Sequence, residues 1–139
     1  MVRIQREFVI ERHNFQSAGQ VSSSIKKDLK KVGVNPEIIR RVSVASYETE
    51  MNIIIHSDGG KMVFWIDANK IEITATDHGP GIKDTELAMK EGYSTATKDV
   101  RELGFGAGMG LPNIKRCADE FEIESEYGKY TKITIRFYQ

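Results

Sequence analysis

The 139-residue chain sets 20 Lys and Arg against 20 Asp and Glu, so its formal net charge is zero and it has no general attraction for nucleic acid or anionic lipid. Its single cysteine, Cys117, excludes an intrachain disulfide and a multi-cysteine zinc site. The start "MVRIQREFVIERH" has no signal-peptide core and no apolar run approaches a membrane span, so the expectation is one domain over residues 1–139, cytoplasmic, with neither nucleic acid nor membrane as partner.

Residues 4–12 alternate Ile4, Arg6, Phe8 and Ile10 against polar neighbours, the pattern of a half-buried strand. From Ser17 to Lys31 the period becomes helical, with Val21, Ile25, Leu29 and Val32 on one face until Gly33 stops it. A second, longer helix starts with Asn35 as N-cap, Pro36 at the first helical position and Glu37 in the first turn, and ends near "SDGG". "KMVFWIDANKIEITATDHG" reads as two strands joined at Ala68–Asn69, with Met62, Phe64, Ile66, Ile71 and Ile73 alternating as one covered face requires. "KDTELAMKEG" suggests a short helix, residues 109–120 another, and the chain closes on a hairpin, "FEIESEYGKYTKITIRFY". The order β-α-α-β-β-α-α-β-β predicts an α+β two-layer sandwich: helices on one face of a mixed, mostly antiparallel sheet.

Three short motifs carry chemistry. In "ETEMN", Glu48 and Asn52 are four residues apart and share a helical face, where a carboxylate and a carboxamide can hold a water or a phosphate-bound magnesium ion. The rival reading is a solvated polar stripe, but the surrounding Ala45, Met51, Ile53, Ile54 and Ile55 are apolar almost all round, and a polar pair buried there needs partners. Glu50, two residues on, faces another side of the helix. "DHGPGI" (77–82) is strong turn chemistry; its functional reading is an aspartate fixed at a strand end to accept a hydrogen bond from an amine. "GFGAGMGL" (104–111) places four glycines at alternate positions directly before a helix, a hinge or a loop whose N–H groups wrap an anion at the positive end of the helix dipole. The Rossmann and Walker A patterns do not fit it.

Taken in order, these motifs resemble the N box and the two glycine boxes of the GHKL ATPase superfamily, which includes histidine kinase catalytic domains and type II topoisomerase ATPase domains. "GKYTKI" (128–133) is similar to the family's final box, with Tyr130 in place of its usual glycine. Within the superfamily the chain looks most like the stand-alone anti-sigma factor serine/threonine kinases and their switch-protein relatives, through "EGYSTA" (91–96) and "GMGLPNIKRCADEF" (108–121). The resemblance implies ATP or ADP with Mg2+ as cofactors, Glu48 as general base, Asn52 as magnesium ligand and Asp77 as acceptor for the adenine amine. It implies Gly79, Gly81, Ile82, Gly92, Ser94, Thr95, Gly104, Phe105, Gly106, Ala107, Gly108, Met109, Gly110, Leu111 and Thr131 as further nucleotide contacts, with residues 91–103 as a mobile lid. It also implies pairing of two copies through the N-terminal strand and helix.

Histidine kinases need a phospho-accepting helical hairpin, and topoisomerase relatives a second domain that supplies a lysine to the γ-phosphate; the chain provides for neither. The expectation is therefore a protein serine/threonine kinase acting as an anti-sigma regulatory factor, with an anti-anti-sigma (STAS-type) protein or a sigma factor as partner. The alternative is a non-catalytic switch that binds its partner only when nucleotide is present.

Overall fold

The computed structural model describes residues 4–79, 89 and 110–139. β1 (Ile4–Glu11) leads through a 3-10 turn at Phe15–Ser17 to α1 (Gln20–Lys31) and α2 (Pro36–His56). β2 (Gly59–Ile66), β3 (Lys70–His78), α3 (Gly110–Cys117), β4 (Glu120–Glu126) and β5 (Tyr130–Tyr138) follow. The strands form one sheet in the order β1-β2-β3-β5-β4. All four pairings are antiparallel, so the described sheet lacks the parallel component that the sequence reading allowed.

Alternation decides which face is covered. Met62, Phe64, Ile71, Ile73, Ile133, Ile135 and Phe137 point to the helical side and are at most 5% exposed. Glu72, Thr74, Thr134 and Arg136 point the other way, where Arg136 donates to Glu72 at 2.8 Å and to Glu120 at 3.1 Å. Burying a side chain such as Phe64 is worth about 1.5–3 kcal/mol, so this one-sided pattern fixes register as well as stability.

α2 lies between α1 and α3 and against the sheet, which is why its apolar residues cover most of its circumference. Its start follows local rules: Asn35 Oδ1 accepts the Glu37 N–H at 2.9 Å, and Pro36 opens the helix. α1 begins later than its periodicity predicts, because Gly19 precedes it with a positive φ of 91° and the 3-10 turn takes up residues 15–17. α3 ends earlier than the expected 120. Asp119 leaves the helix to join the sheet edge, its N–H donating to the Arg136 carbonyl at 3.0 Å and its Oδ2 accepting the Tyr138 N–H at 2.8 Å. The β2–β3 turn is closed by Asp67, whose Oδ1 accepts the N–H groups of Asn69 and Lys70 at 2.7 and 2.9 Å. The short helix expected within 83–92 lies outside the described residues apart from Met89. Among the described residues no helix is long and apolar enough to cross a membrane.

Candidate functional site

The two polar residues of "ETEMN" face the start of α3. A β-carbon placed on Gly110 would lie 3.1 Å from Asn52 Oδ1 and 3.3 Å from Glu48 Oε2, closer than either oxygen tolerates comfortably. The last glycine of the run therefore has a stated job: without a side chain, it brings the α3 N-terminus, the positive end of that helix, against a carboxylate and a carboxamide. Burial pushes the Glu48 carboxyl above its ordinary range, partly offset by a hydrogen bond from the Asn113 side chain. Asn113 Oδ1 already accepts from Arg116 at 3.2 Å, so its amide nitrogen is the group left to donate to Glu48.

A second set of residues forms a row across the covered face of the sheet. Gly60 pairs with Asp77, Asp77 with Thr131, and Thr131 with Ser125. Asp77 is held at the end of β3, where burial raises its carboxyl from 3.8 to about 6. The Thr131 backbone N–H donates to it and opposes that rise, as does the nearby His78, while Asp58 adds to it. Thr131 is 6% exposed and its Oγ1 lies 3.0 Å from Ser125 Oγ. Tyr130, in place of the family's glycine, does not intrude: it points to the opposite face, where its hydroxyl donates to Glu124 Oε1 at 2.6 Å. Gly79, just beyond Asp77, has a φ of +55°, a conformation that suits glycine.

Glu50 faces the other flank of α2, as its position two residues from Glu48 predicts, but it is only 2% exposed. Its Oε2 accepts the Gly19 N–H at 3.1 Å and its Oε1 the Ser22 N–H at 3.4 Å. Gly19 has no side chain with which to cap α1, so a carboxylate from the neighbouring helix caps it instead. It is a structural group, not an inert position.

Of the residues singled out from sequence, the structure brings Glu48, Asn52 and Gly110 together, and places Asp77 and Thr131 side by side on adjacent strands. Leu111 is buried in the core, so its backbone is what it can offer a ligand. Gly81, Ile82, Gly92, Ser94, Thr95, Gly104, Phe105, Gly106, Ala107, Gly108 and Met109 lie outside the described residues. Sequence reasoning missed Gly60, Asn113 and Ser125. A glycine opening an otherwise apolar strand was the available signal for Gly60; the other two carried none.

The chain matches the histidine kinase-, DNA gyrase B- and HSP90-like ATPase family over residues 37–139. It is 32% identical over 136 residues to the serine/threonine-protein kinase RsbT of Bacillus subtilis, covering 95% of this chain and 90% of that protein. It is 35% identical over 107 residues to the anti-sigma F factor of a Thermoanaerobacter species, covering 73% and 71% of the two chains. The anti-sigma F factor of Clostridium acetobutylicum is 33% identical over 105 residues, covering 72% and 70%.

Proposed function

From the premise that the chain belongs to the histidine kinase-, DNA gyrase B- and HSP90-like ATPase family, we propose that it is a single ATP-binding domain that transfers the γ-phosphoryl group of ATP to a serine or threonine of a protein partner. The observation that carries this reading is the close packing of Glu48 Oε2 and Asn52 Oδ1 together against Gly110 at the N-terminus of α3. Phosphoryl transfer asks the protein mainly to clamp phosphates, neutralise charge and aim a base at the acceptor hydroxyl. The α3 N-terminus supplies the first and Glu48 the last.

Magnesium fits the donor set. Two hard oxygens, one from the Asn52 carboxamide and one from the Glu48 carboxylate, lie side by side against the start of α3, and oxygen ligands of this kind suit that ion. Among the described residues no group of three or more His, Cys, Asp or Glu is close enough to form a self-sufficient metal cage, so phosphate oxygens and water would complete the shell around Asn52. The ion, when bound, neutralises charge on the phosphates.

Glu48 takes the proton of the incoming hydroxyl as that oxygen bonds to the γ-phosphorus. The bond from phosphorus to the β–γ bridging oxygen breaks and ADP leaves. A carboxylate raised by burial is a better proton acceptor at neutral pH than an exposed one. At the other end Asp77, supported by Thr131, accepts from the adenine amine.

The relatives' names point to a regulatory partner: one is a serine/threonine kinase and the others are anti-sigma factors. We assign this chain the same kind of role, with an anti-anti-sigma protein of STAS type as phosphate acceptor or a sigma factor as binding partner. Incubation with magnesium, γ-labelled ATP and a candidate STAS protein tests it. Label on a serine or threonine of the partner supports the kinase; nucleotide-dependent complex formation with no label on any candidate would instead favour a non-catalytic switch.

A further inference from the structure

The row that holds Asp77 and Thr131 continues one strand further, to Ser125, a residue that phosphoryl transfer does not require. Ser125 Oγ lies 2.9 Å from the Tyr130 carbonyl oxygen and 3.0 Å from Thr131 Oγ1. A carbonyl oxygen can only accept, so the one hydroxyl proton of Ser125 goes to Tyr130. The contact with Thr131 must then run the other way, with the Thr131 hydroxyl donating to Ser125 Oγ. The peptide group between residues 130 and 131 anchors both neighbours: its carbonyl faces Ser125, and its N–H donates to the Asp77 carboxylate.

We propose that Ser125 is a positioning residue for base specificity: by holding the Thr131 proton, it leaves Thr131 Oγ1 with only lone pairs to present beside Asp77, so the base end of the site selects a purine with an amino group at C6 over one with a carbonyl there. The inference rests on Asp77 and Thr131 being the purine-contacting pair. An ionised carboxylate and a hydroxyl whose proton is already committed are both acceptors, and a 6-amino group is a donor. A 6-oxo purine can still donate its N1–H to Asp77, but its oxygen then faces Thr131 Oγ1 as acceptor against acceptor, and an unpaired buried acceptor is costly. If the Thr131 hydroxyl could rotate, it would donate to the 6-oxo group and part of the discrimination would vanish.

The test is calorimetric titration of the full chain with magnesium-ATP and magnesium-ITP. The wild type should prefer ATP. Ser125→Ala should shrink that preference about tenfold, mainly by tightening ITP, with ATP affinity little changed. Ser125→Thr keeps a hydroxyl at the same place and should retain the wild-type ratio; a purely structural role would shift both nucleotides together in either variant. Ser125→Cys, similar in size but a weak acceptor, replaces the alanine variant if that one does not fold and should likewise narrow the ratio. An unchanged ATP-to-ITP ratio in the alanine or cysteine variant overturns the inference and leaves the nucleotide site standing. Failure of the wild type to bind ATP at all overturns the site reading itself.

Discussion

Gly60 sits beside Asp77 so closely that no side chain fits: a β-carbon there would come within 2.8 Å of the Asp77 Cα and 3.1 Å of its Cβ. The same β-carbon would lie 2.4 Å from the Thr76 carbonyl oxygen, which is backbone and cannot swing aside. Gly60→Ala should therefore displace the end of β3 and carry Asp77 with it. Forcing an extra methyl into a packed site costs about 1–3 kcal/mol, so urea denaturation should show a loss of that size. ATP affinity of the folded variant should fall too, whereas an alanine tolerated without change in either quantity would mean that β2 and β3 can separate locally.

Asp77 gives a pH signature of a definite sign. Its carboxyl holds a proton up to about pH 6 in the folded chain, against an ordinary value of 3.8, so the folded state binds more protons between those values. Its contribution therefore makes the nucleotide-free protein less stable as pH rises from about 4 to 6. Asp77→Asn should remove this slope and stabilise the free protein at neutral pH. The same change should weaken ATP binding roughly tenfold or more, since a hydrogen bond to a charged group is worth about 1.5–3 kcal/mol. Thermal melts across pH, paired with titrations, check both halves; a variant less stable than wild type at pH 7 would contradict the desolvation account.

Glu48 and Asn52 share one helical face, yet their substitution should separate chemistry from binding. Glu48→Gln preserves shape but cannot take a proton at neutral pH, so partner phosphorylation should fall about 10²–10⁴-fold with nucleotide affinity little changed. Asn52→Ala removes the oxygen proposed to hold magnesium, and both affinity and its dependence on magnesium should drop. Transfer at the wild-type rate by Glu48→Gln would rule that carboxylate out as the base.

Glu50 should behave unlike either, since its carboxylate caps α1. Glu50→Ala leaves the N–H groups of Gly19 and Ser22 without their acceptor, at about 1–3 kcal/mol for each amide that stays dry. Hydrogen exchange should rise first at residues 19–24, while nucleotide affinity of the folded fraction stays the same. Loss of phosphate transfer without loss of protection at α1 would assign Glu50 to the chemistry instead.

What the sequence determined by itself is local in origin. Alternation in residues 62–73 marks the covered face of the sheet. Asn35 and Pro36 mark the start of α2, and a four-residue spacing puts Glu48 and Asn52 on one face. Each depends only on backbone geometry within a few residues. The order of the three boxes added the family, because separately weak motifs in a fixed sequence constrain one another.

The tertiary structure decided what depends on residues far apart in the chain. Gly60, Asp77, Thr131 and Ser125 become one row only through the registers of three strand pairings, and a shift of one residue in any of them would turn a member to the other face. The reason for the last glycine of the run, which the α3 helix alone does not need, lies across the interface on α2. The end of α1 that periodicity misplaced is set by Glu50, 31 residues from Gly19, because a buried amide takes whichever acceptor the packed helices bring to it.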